Sequence, residues 1–552
     1  MEELHQITPG MVVAAAPRVV DSTGVPNLDL ILGGGLARGT LAILVGPPGS
    51  GKTTLALQTA WAAAQAGRQV LIFTVLSEAP SKLLSHLSGY DFYDPSLIGD
   101  RVKLLSLQPF LGAGLAGASQ AMIELVRAER ASLVVLDGFS GMRAIDAERQ
   151  AGRHFMFEVG TALSAQETTT IITTEAEIRD PLFFPEATTA DTIIGMHFSV
   201  DGERQRRRLE VVKARGATPL SGLHSLELSA AGVVVSPRLE ARTARHALQS
   251  VTTPDADEPE PATTSDPVPL ERATFALPAL DALLGGGLTR ATTTIVIGSG
   301  GSGKTLLGLH FALAGVRAGE PVVFVGFHEN RRQLLLKADA FNLGTELRAA
   351  LAPGGGLTML HYPAVELDAD ALADQVLAAL DRTHARRLVI DSIAVVERAV
   401  SEGSGPRRVQ NYLSALIDAL QSRRISALFT KETGPLAGSD LELETDLSSG
   451  VAENVVWLQA VILRGRLYRV LSVLKMRYSL HDLTLREFTI AAPDGISVRG
   501  PLESAPGLLA SIEREEGEFR PSAVSGAVSG HTGARHGRTQ PPLSRESHKE
   551  EE

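Results

Sequence analysis

The chain has 552 residues, more than one hydrophobic core normally fills, so two or more domains are expected. Hydrophobic residues make up 44% and charged residues 21%, a balance typical of a globular protein. The formal net charge of -11 argues against a surface built mainly to attract nucleic acid, and the lack of cysteine in the sequence excludes disulfides, thiolate metal ligands and thiol nucleophiles.

The N-terminal residues 1–10 have neither a basic n-region nor an apolar core. Elsewhere the sequence does not reach the roughly 18 consecutive apolar residues of a membrane span. We therefore expect a cytoplasmic protein with no membrane association, in which residues 1–17 form an N-terminal extension.

Two glycine-rich stretches, residues 46–53 and 298–305, match the P-loop pattern G-x-x-x-x-G-K-[ST]. In this pattern backbone N–H groups surround a phosphate, the lysine meets the outer phosphates and the hydroxyl holds Mg²⁺. Each stretch lies between an apolar β-type run and a helical pattern, which is the context that the motif requires. The predicted phosphate-binding residues are Gly46, Gly49, Ser50, Gly51, Lys52, Thr53 and Thr54, and Gly298, Gly301, Ser302, Gly303, Lys304, Thr305 and Leu306.

A similar sequence segment precedes both loops. Residues 28–36 read LDLILGGGL and residues 280–288 read LDALLGGGL, at equal distances before the loop lysine. Three glycines alone are ordinary turn chemistry, but equal spacing in both halves indicates a duplicated domain.

A glutamate follows the strand-like run after each P-loop helix, Glu78 in the first half and Glu329 in the second. A carboxylate here can orient a water aimed at the γ-phosphate or accept its proton. The alternative is a glutamate in a first helical turn, where the helix dipole favours it. The repetition favours the catalytic interpretation.

Further along, two apolar runs that read as buried parallel strands end in Asp137 and Asp391. An aspartate at the carboxyl end of a strand beside a P-loop is placed to hold the Mg²⁺ shell. The alternative is an aspartate that caps the next turn. We predict Thr53 with Asp137 and Thr305 with Asp391 as the two metal sites.

Each half then ends in antiparallel-looking strands that close on a Lys-x-Arg sequence, Lys213 with Arg215 and Lys475 with Arg477. Alternate residues on a strand share a face, so both cations of a pair suit one phosphate across an interface. A solvated basic strand edge is the alternative.

The remaining segments separate the domains. Residues 250–269 carry many Pro, Thr, Asp and Glu residues and read as a flexible linker, and the chain from about residue 504 is polar and reads as a disordered tail. The predicted architecture is α/β. The predicted boundaries are residues 18–240 and 271–503 for the two domains, 241–270 for the linker and 504–552 for the tail.

Two RecA-type domains in tandem, each with this segment and P-loop, and a Lys475-Met476-Arg477 sequence followed by His481, resemble the KaiC family of bacterial clock-type ATPases. The resemblance covers about residues 18–235 and 272–498. It implies two RecA-like P-loop domains, each with a mostly parallel sheet flanked by helices and antiparallel strands at its C-terminal end.

The resemblance also implies a double-ring homo-hexamer that binds ATP and Mg²⁺ at subunit interfaces in both rings. Lys213, Arg215, Lys475, Arg477 and His481 would then reach the neighbouring subunit's nucleotide. KaiC-like proteins also phosphorylate themselves in the second domain, and the matching acceptor positions here are Ser448 and Ser449.

The chain departs from the family pattern at four places. Ser77 and His328 replace the first of two adjacent glutamates, the one expected to deprotonate the acceptor hydroxyl, which weakens the case for self-phosphorylation more than that for ATP hydrolysis. Pro219 replaces a histidine in the first domain. The tail bears no clear likeness to the family's partner-binding segment, so a clock partner does not follow, although the tail stays a candidate surface for protein partners.

Three functions compete at this point. The leading hypothesis is slow Mg²⁺-dependent ATP hydrolysis at two interface sites, used as a signalling timer or switch, with serine or threonine autophosphorylation in the second domain. A RecA-type nucleic-acid motor would need a basic channel loop, for which the arginine-rich residues 204–208 are the best candidate, but a solvated hairpin is the favoured interpretation of these residues. The third hypothesis is a nucleotide-gated scaffold without turnover.

Overall fold

The computed structural model describes residues 19–75, 80–143, 149–176, 185–252, 271–433, 450–463, 466–493 and 495–501. Strands of the first half are β1 (Val20–Asp21), β2 (Leu36–Ala37), β3 (Leu41–Val45), β4 (Val70–Thr74), β5 (Val102–Ser106), β6 (Leu133–Asp137), β7 (Thr169–Thr174), β8 (Thr192–Asp201), β9 (Arg204–Ala214), β10 (His224–Ser229) and β11 (Gly232–Ser236). Its helices are α1 (Leu28–Leu32), α2 (Lys52–Gln65), α3 (Pro80–Leu87), α4 (Gly114–Glu129), α5 (Phe139–Arg143), α6 (Arg149–Ser164) and α7 (Leu239–Thr252).

The second half repeats this order. Its strands are β12 (Arg272–Ala273), β13 (Leu288–Thr289), β14 (Thr293–Gly298), β15 (Val322–Gly326), β16 (Leu357–His361), β17 (Arg387–Asp391), β18 (Ser426–Glu432), β19 (Asn454–Leu463), β20 (Arg466–Met476), β21 (Arg486–Ala491) and β22 (Gly495–Pro501). Its helices are α8 (Pro278–Leu283), α9 (Lys304–Arg317), α10 (Arg331–Ala340), α11 (Gly344–Ala350), α12 (Ala369–Thr383), α13 (Ile393–Ser404) and α14 (Arg407–Gln421).

Each half forms a 9-stranded sheet, in the order β11-β10-β9-β8-β3-β7-β6-β4-β5 in the first and β16-β15-β17-β18-β14-β19-β20-β21-β22 in the second. The strands from β8 to β5 and from β16 to β19 pair in parallel, and the remaining strands pair antiparallel. The P-loop strands β3 and β14 lie inside the parallel part, where helices cover both faces, and every residue of these two strands is buried. The predicted fold class is confirmed.

Two apolar clusters in each half hold the helices against the sheet, one on each face. The P-loop helices α2 and α9 are buried over most of their length, which fixes the loops that precede them. Among the helices that the structure describes, none is long and apolar enough to cross a membrane.

The segment that joins the two halves begins as a helix. Residues 241–252 belong to α7, whereas the sequence predicted a linker from residue 241 and a flexible, extended chain from residue 250. Leu239 is buried in a core cluster of the second half, and the Thr243 hydroxyl donates to the Ala415 carbonyl at 3.3 Å. Packing against the second domain stabilises this helix, so that the described part of the predicted linker is ordered.

A cluster of charges also crosses this junction. The Arg408 guanidinium donates to both carboxylate oxygens of Glu240, at 2.7 and 2.8 Å, and to Asp370 at 2.6 Å. Arg242 donates to Asp374 at 2.8 Å. Because the pairs of Arg408 are largely shielded from water, they contribute most to the contact between the two halves.

Candidate functional site

Both P-loops follow the carboxyl end of a buried strand and have the same backbone conformation. A Cβ atom at Gly46 would lie 2.1 Å from the Met196 carbonyl oxygen, and one at Gly298 would lie 2.0 Å from that of Leu458. Gly51 and Gly303, which precede the lysines, have φ angles of 97° and 101°. Only glycine satisfies these contacts and dihedrals without strain, so the sequence determines the shape of each loop locally.

The two lysines are folded into their loops. The Lys52 ammonium donates to the carbonyls of Gly46 and Pro47 at 2.9 and 2.8 Å, and that of Lys304 donates to the carbonyls of Gly298 and Ser299 at 2.8 and 2.7 Å. Burial lowers the pKa of both lysines, and nearby carboxylates oppose that shift. Each ammonium is thus a charge held at the place where outer phosphates are expected.

Hydroxyl and carboxylate oxygens meet beside the first lysine. Thr53 Oγ1 donates to Asp137 Oδ1 at 2.9 Å, and Thr173 Oγ1 donates to the same oxygen at 2.6 Å. In the second half Thr430 donates to Asp391 in the same way. Converging hydroxyl and carboxylate oxygens are the ligands that Mg²⁺ prefers, so the residues present fit that ion.

A cleft of about 810 Å³ opens over the first loop. Its lining includes the polar residues Lys52, Thr53, Thr54 and Asp137 and also Leu87 and Tyr90. The cleft therefore combines a polar, phosphate-binding end with an apolar wall, as nucleotide sites do. In both loops the serine before the last glycine, Ser50 and Ser302, is buried, with a hydroxyl that has no hydrogen-bond partner in the part of the chain that the structure describes.

The predicted catalytic glutamates are less completely described. Glu78 lies outside the described residues. Glu329 follows β15, where its carboxylate forms an ion pair with Lys337 of α10. The electrostatic neighbours that raise the pKa of Lys304 are Glu432 and Asp391, and Glu329 is not among them.

In each half the Lys-x-Arg pair runs from the middle of the P-loop strand towards its start, whereas the P-loop follows the end of that strand. Lys213 pairs with Ile193 of β8, which is level with Ile43 in the middle of β3, and the Arg215 N–H donates to the Asp191 carbonyl just ahead of β8. Lys475 has the same position relative to β14. Ile43 is three residues before Gly46, about 10 Å along the strand, and the lysine ammonium groups bond to carbonyls other than those of the loops.

The contacts of the first pair are to carbonyls nearby. The Lys213 ammonium donates to the Ala187 carbonyl at 2.8 Å, and Arg215 donates to the Thr188 carbonyl at 3.1 Å. Lys475 donates to the Ala452 carbonyl at 2.7 Å. Burial lowers the pKa of Lys213 and Lys475.

The other predicted residues of the second domain are placed in part. His481 lies in the segment after β20, and its Nε2 atom is buried without a hydrogen-bond partner among the described residues. The predicted acceptors Ser448 and Ser449 lie outside the described residues, and the description resumes at Gly450, ahead of β19.

The arginine-rich residues 204–208 form the start of β9, in a hairpin with β8 as one of the sequence interpretations required. Two of these arginines form hydrogen bonds with backbone carbonyls of the same chain. The guanidinium of Arg207 donates to the Gly49 carbonyl in the first P-loop at 2.9 Å and lies over the Phe198 ring, whereas Arg204 donates to the Leu367 carbonyl in the second domain at 3.3 Å. Arg204 and Arg207 are therefore held by contacts within the chain itself.

Sequence reasoning missed two carboxylates near the loops, Glu175 and Glu432. Each stands two residues after the threonine that donates to the strand-ending aspartate, Thr173 or Thr430. A repeated Thr-x-Glu at the end of the strand between the P-loop strand and the aspartate strand is the signal that could have found them.

Comparisons with known proteins agree with this geometry. The family model described as "ATPase: KaiC" matches residues 21–240 and 274–503. The circadian clock oscillator protein KaiC 1 of Synechocystis is 26% identical over 489 residues, which cover 86% of this chain and 88% of that relative. The circadian clock protein KaiC3 of Synechocystis is 25% identical over 91% of this chain and 96% of its own length, and KaiC of Thermostichus vulcanus is 25% identical over 92% and 93%. The chain therefore belongs to the KaiC family of ATPases, with one family domain in each half.

Proposed function

We propose that this chain hydrolyses ATP at subunit interfaces of a double-ring homo-hexamer and that the ring serves as a signalling timer or switch. The observation that carries this proposal is the position of the cations. In each half the phosphate-binding loop follows the end of the P-loop strand, whereas the Lys-x-Arg pair runs from the middle of that strand towards its start and bonds to carbonyls there. A ring of like subunits would bring the cations of one chain to the loop of the next.

The residues of one chain would bind and orient the nucleotide. The loop N–H groups and Lys52 or Lys304 would hold the β- and γ-phosphates, and Thr53 with Asp137, or Thr305 with Asp391, would hold Mg²⁺. When bound, Mg²⁺ neutralises charge on the phosphates. Glu78 and Glu329 are the carboxylates that the sequence predicts for positioning the attacking water.

The neighbouring chain would supply positive charge. Lys213 and Arg215, or Lys475, Arg477 and His481, would approach the γ-phosphate and stabilise the charge that spreads over it during transfer. An arginine delivered from a partner in this way contributes about 10³-fold or more to the rate. A monomer is therefore expected to be nearly inactive.

Two exposed surfaces support self-association at these edges. A groove of about 1230 Å³ contains Arg215 and Asp191, and its rim carries Phe157, of which 59% is exposed. Near the second pair, Leu480 is 95% exposed and Leu483 is 67% exposed. Large apolar side chains beside a functional cation are a common sign of a surface that a partner covers.

A mixing experiment tests the shared site. One variant, Lys52→Ala with Lys304→Ala, lacks nucleotide binding but keeps the cations, and the other, Arg215→Ala with Arg477→Ala, has the reverse defect. Each alone should show at least a 100-fold lower ATPase rate. Co-assembled mixtures should regain activity, because mixed interfaces contain one intact site.

The control is Arg382→Ala, an exposed arginine of α12, which should keep the parent rate. Light scattering on each fraction gives the mass of the active species. Full activity in a monomeric fraction, or no recovery in mixtures that do co-assemble, would contradict the shared-site proposal.

Autophosphorylation is a second activity that we propose for the second domain, on Ser448 or Ser449. The test is incubation with γ-labelled ATP and Mg²⁺, followed by counting of free phosphate and of label on the protein. Label that disappears in a Ser448→Ala, Ser449→Ala variant would support the autokinase. Free phosphate without label would show a plain ATPase.

A further inference from the structure

A cavity of about 600 Å³ lies between the first and the second domain. Strands β9 and β10 form its first-domain wall, which includes the arginine-rich residues 204–208. The segment after β16 and the first turns of α12 form the opposite wall. Cavities of this volume commonly hold small molecules, so the ligand that these walls would suit can be read from their chemistry.

Alternate residues of β9 present a row of arginines to the second domain. Arg204, Arg206 and Arg208 share one face of the strand, about 7 Å apart. The Arg204 guanidinium donates to the Leu367 carbonyl at 3.3 Å, and that of Arg208 donates to the Gly403 carbonyl. The Arg206 guanidinium lies against the same glycine. The row therefore forms one wall of the cavity in a fixed arrangement.

The contacts of this row do not neutralise its charge. Carbonyl groups are uncharged acceptors, and Arg204 and Arg208 form no ion pair with the residues that the structure describes. Burial, with smaller contributions from Arg206 and Arg408, lowers the pKa of the Arg208 guanidinium. Like charges are therefore held close together in a partly dry place, where an anion would relieve their repulsion.

The acidic residues nearby are either bonded already or exposed. Asp368 and Asp370 oppose the shift of the Arg208 pKa, but Asp368 accepts the Ser225 hydroxyl at 2.7 Å and Asp370 accepts Arg408 at 2.6 Å. The glutamates of the lining are exposed to solvent, namely Glu203, Glu227 and Glu366. Because water and salt screen exposed charges most strongly, the arginines dominate inside the cavity.

The second-domain wall adds an apolar surface. Tyr362 is partly buried, with its ring centroid 6.5 Å from that of Phe327, and Val365 is 72% exposed. An aromatic ring and an aliphatic side chain opposite a row of arginines suit a ligand that has both an anionic and an apolar part.

The cavity is a neighbour of the first ATP cleft and is distinct from it. Arg207, which donates to the Gly49 carbonyl of the first P-loop, lines both of them. Neither Lys52 nor Lys304 is among the described residues that line the cavity between the domains. A phosphate bound there would thus be held without the help of a P-loop lysine.

We propose that this cavity binds a phosphorylated small molecule of about nucleotide size, at a site separate from the two P-loops. Its diphosphate or polyphosphate group would lie along Arg204, Arg206 and Arg208, since guanidinium groups bind phosphate oxygens through paired N–H donors. Its apolar part would contact Tyr362 and Val365. Binding at this site does not require ATP hydrolysis, so the inference goes beyond the proposed function.

The test uses the full-length chain with Lys52→Ala and Lys304→Ala, which lacks both loop lysines, and inorganic pyrophosphate as the probe. Isothermal titration calorimetry should show one binding event per chain. Arg204→Gln with Arg206→Gln in this background should raise the Kd about 10-fold or more, because charge-assisted hydrogen bonds are lost. Absence of pyrophosphate binding in the chain without loop lysines would overturn the proposal.

Gln375 offers a matched pair of variants that leave the arginine contacts in place. Its side chain is exposed on α12 and lines the cavity. Gln375→Glu should weaken pyrophosphate binding about 5-fold and Gln375→Lys should strengthen it by a similar factor, because each changes the charge of the wall. Arg382→Gln, at an exposed arginine of the same helix, should leave the Kd unchanged. Equal affinities for the two Gln375 variants would refute the location.

A second probe tests the apolar part of the site. In the chain without loop lysines ADP should bind more tightly than pyrophosphate, and Tyr362→Ala should cancel that gain. Equal affinities for the two probes would refute a ligand of nucleotide size. All of these measurements record binding alone, so failure of the proposed ATP hydrolysis would leave their outcome unchanged.

Discussion

The two halves of the molecule share a fold, and each has a cluster of one carboxylate and two arginines after its P-loop helix. The residue at one equivalent position of this cluster is basic in the first half and acidic in the second. In the first half, Arg38 and Arg68 flank Asp21, at 2.9 and 3.0 Å. In the second half, the residue equivalent to Arg68 is Glu320, and it lies between Arg290 and Arg387. Both arrangements place one carboxylate between two guanidinium groups, so the scaffold requires charge compensation here rather than a particular residue.

The ion pair is more deeply buried in the second half than in the first. The Arg387 side chain is only 2% exposed, contacts Glu320 at 2.5 Å and lies over the Phe311 ring at 4.6 Å. Arg68 is 17% exposed. Since an unpaired charge costs more where water is excluded, the second domain depends more strongly on its pair.

The P-loop helices α2 and α9 also differ at one buried polar position. Gln58 of α2 is buried and exchanges two hydrogen bonds with the backbone of Val233, at 3.2 and 2.7 Å. The equivalent residue of α9 is His310, whose buried Nε2 atom has no hydrogen-bond partner among the described residues. Burial, with a smaller contribution from Arg317, lowers the pKa of His310 to about 4.

The largest expected effect is the loss of stability when the buried Arg387–Glu320 ion pair is removed. Arg387→Met should destabilise the protein by about 3 to 5 kcal/mol, because it leaves Glu320 buried beside a single, more exposed arginine. Urea unfolding followed by circular dichroism measures the change. Arg68→Met in the first half should cost clearly less, and equal costs would refute the contrast in depth.

A smaller effect should appear with pH. The folded state keeps His310 neutral down to about pH 4, whereas the unfolded chain takes up a proton near the ordinary pKa of 6.5. Stability should therefore fall as the pH is lowered through this window, by up to about 3 kcal/mol from this group. His310→Gln should remove that loss, so that the variant gains on the parent between pH 7 and pH 4.

The reverse substitution in the first half tests the same difference between α2 and α9. Gln58→His should introduce acid sensitivity into the first half, because the buried imidazole would resist protonation there as well. Thermal unfolding at several pH values measures both variants. Parallel curves for the parent and His310→Gln would contradict the assignment of the titration to His310.

The smallest expected effect concerns the threonines behind the metal-site aspartates. Thr173→Val and Thr430→Val each remove a hydroxyl that orients Asp137 or Asp391. Loss of such a supporting contact commonly costs about 10-fold in metal affinity or more. A titration of ATPase activity with Mg²⁺ should show the shift. In the first half Thr53 still contacts Asp137, so the shift should be smaller for Thr173→Val, and a larger shift there would break the comparison.

The sequence by itself determined the two P-loops, the strand-ending aspartates and the order of strands and helices. These follow from local chemistry, since glycine dihedrals, buried β-branched runs and helical periodicity act over a few residues. The equal spacing in both halves also indicated the duplication before any fold was known.

Only the tertiary structure decided which distant groups meet. Strand order brings Glu175 and Glu432 beside the lysines, and strand register directs the Lys-x-Arg pairs towards the start of the P-loop strands. Packing against the second domain stabilises a helix in residues that the sequence predicted to be a linker. The second domain also accepts a hydrogen bond from Arg204, which the sequence predicted to be solvated. Contacts between residues far apart in the chain depend on how sheets and domains assemble, and local sequence patterns do not encode that directly.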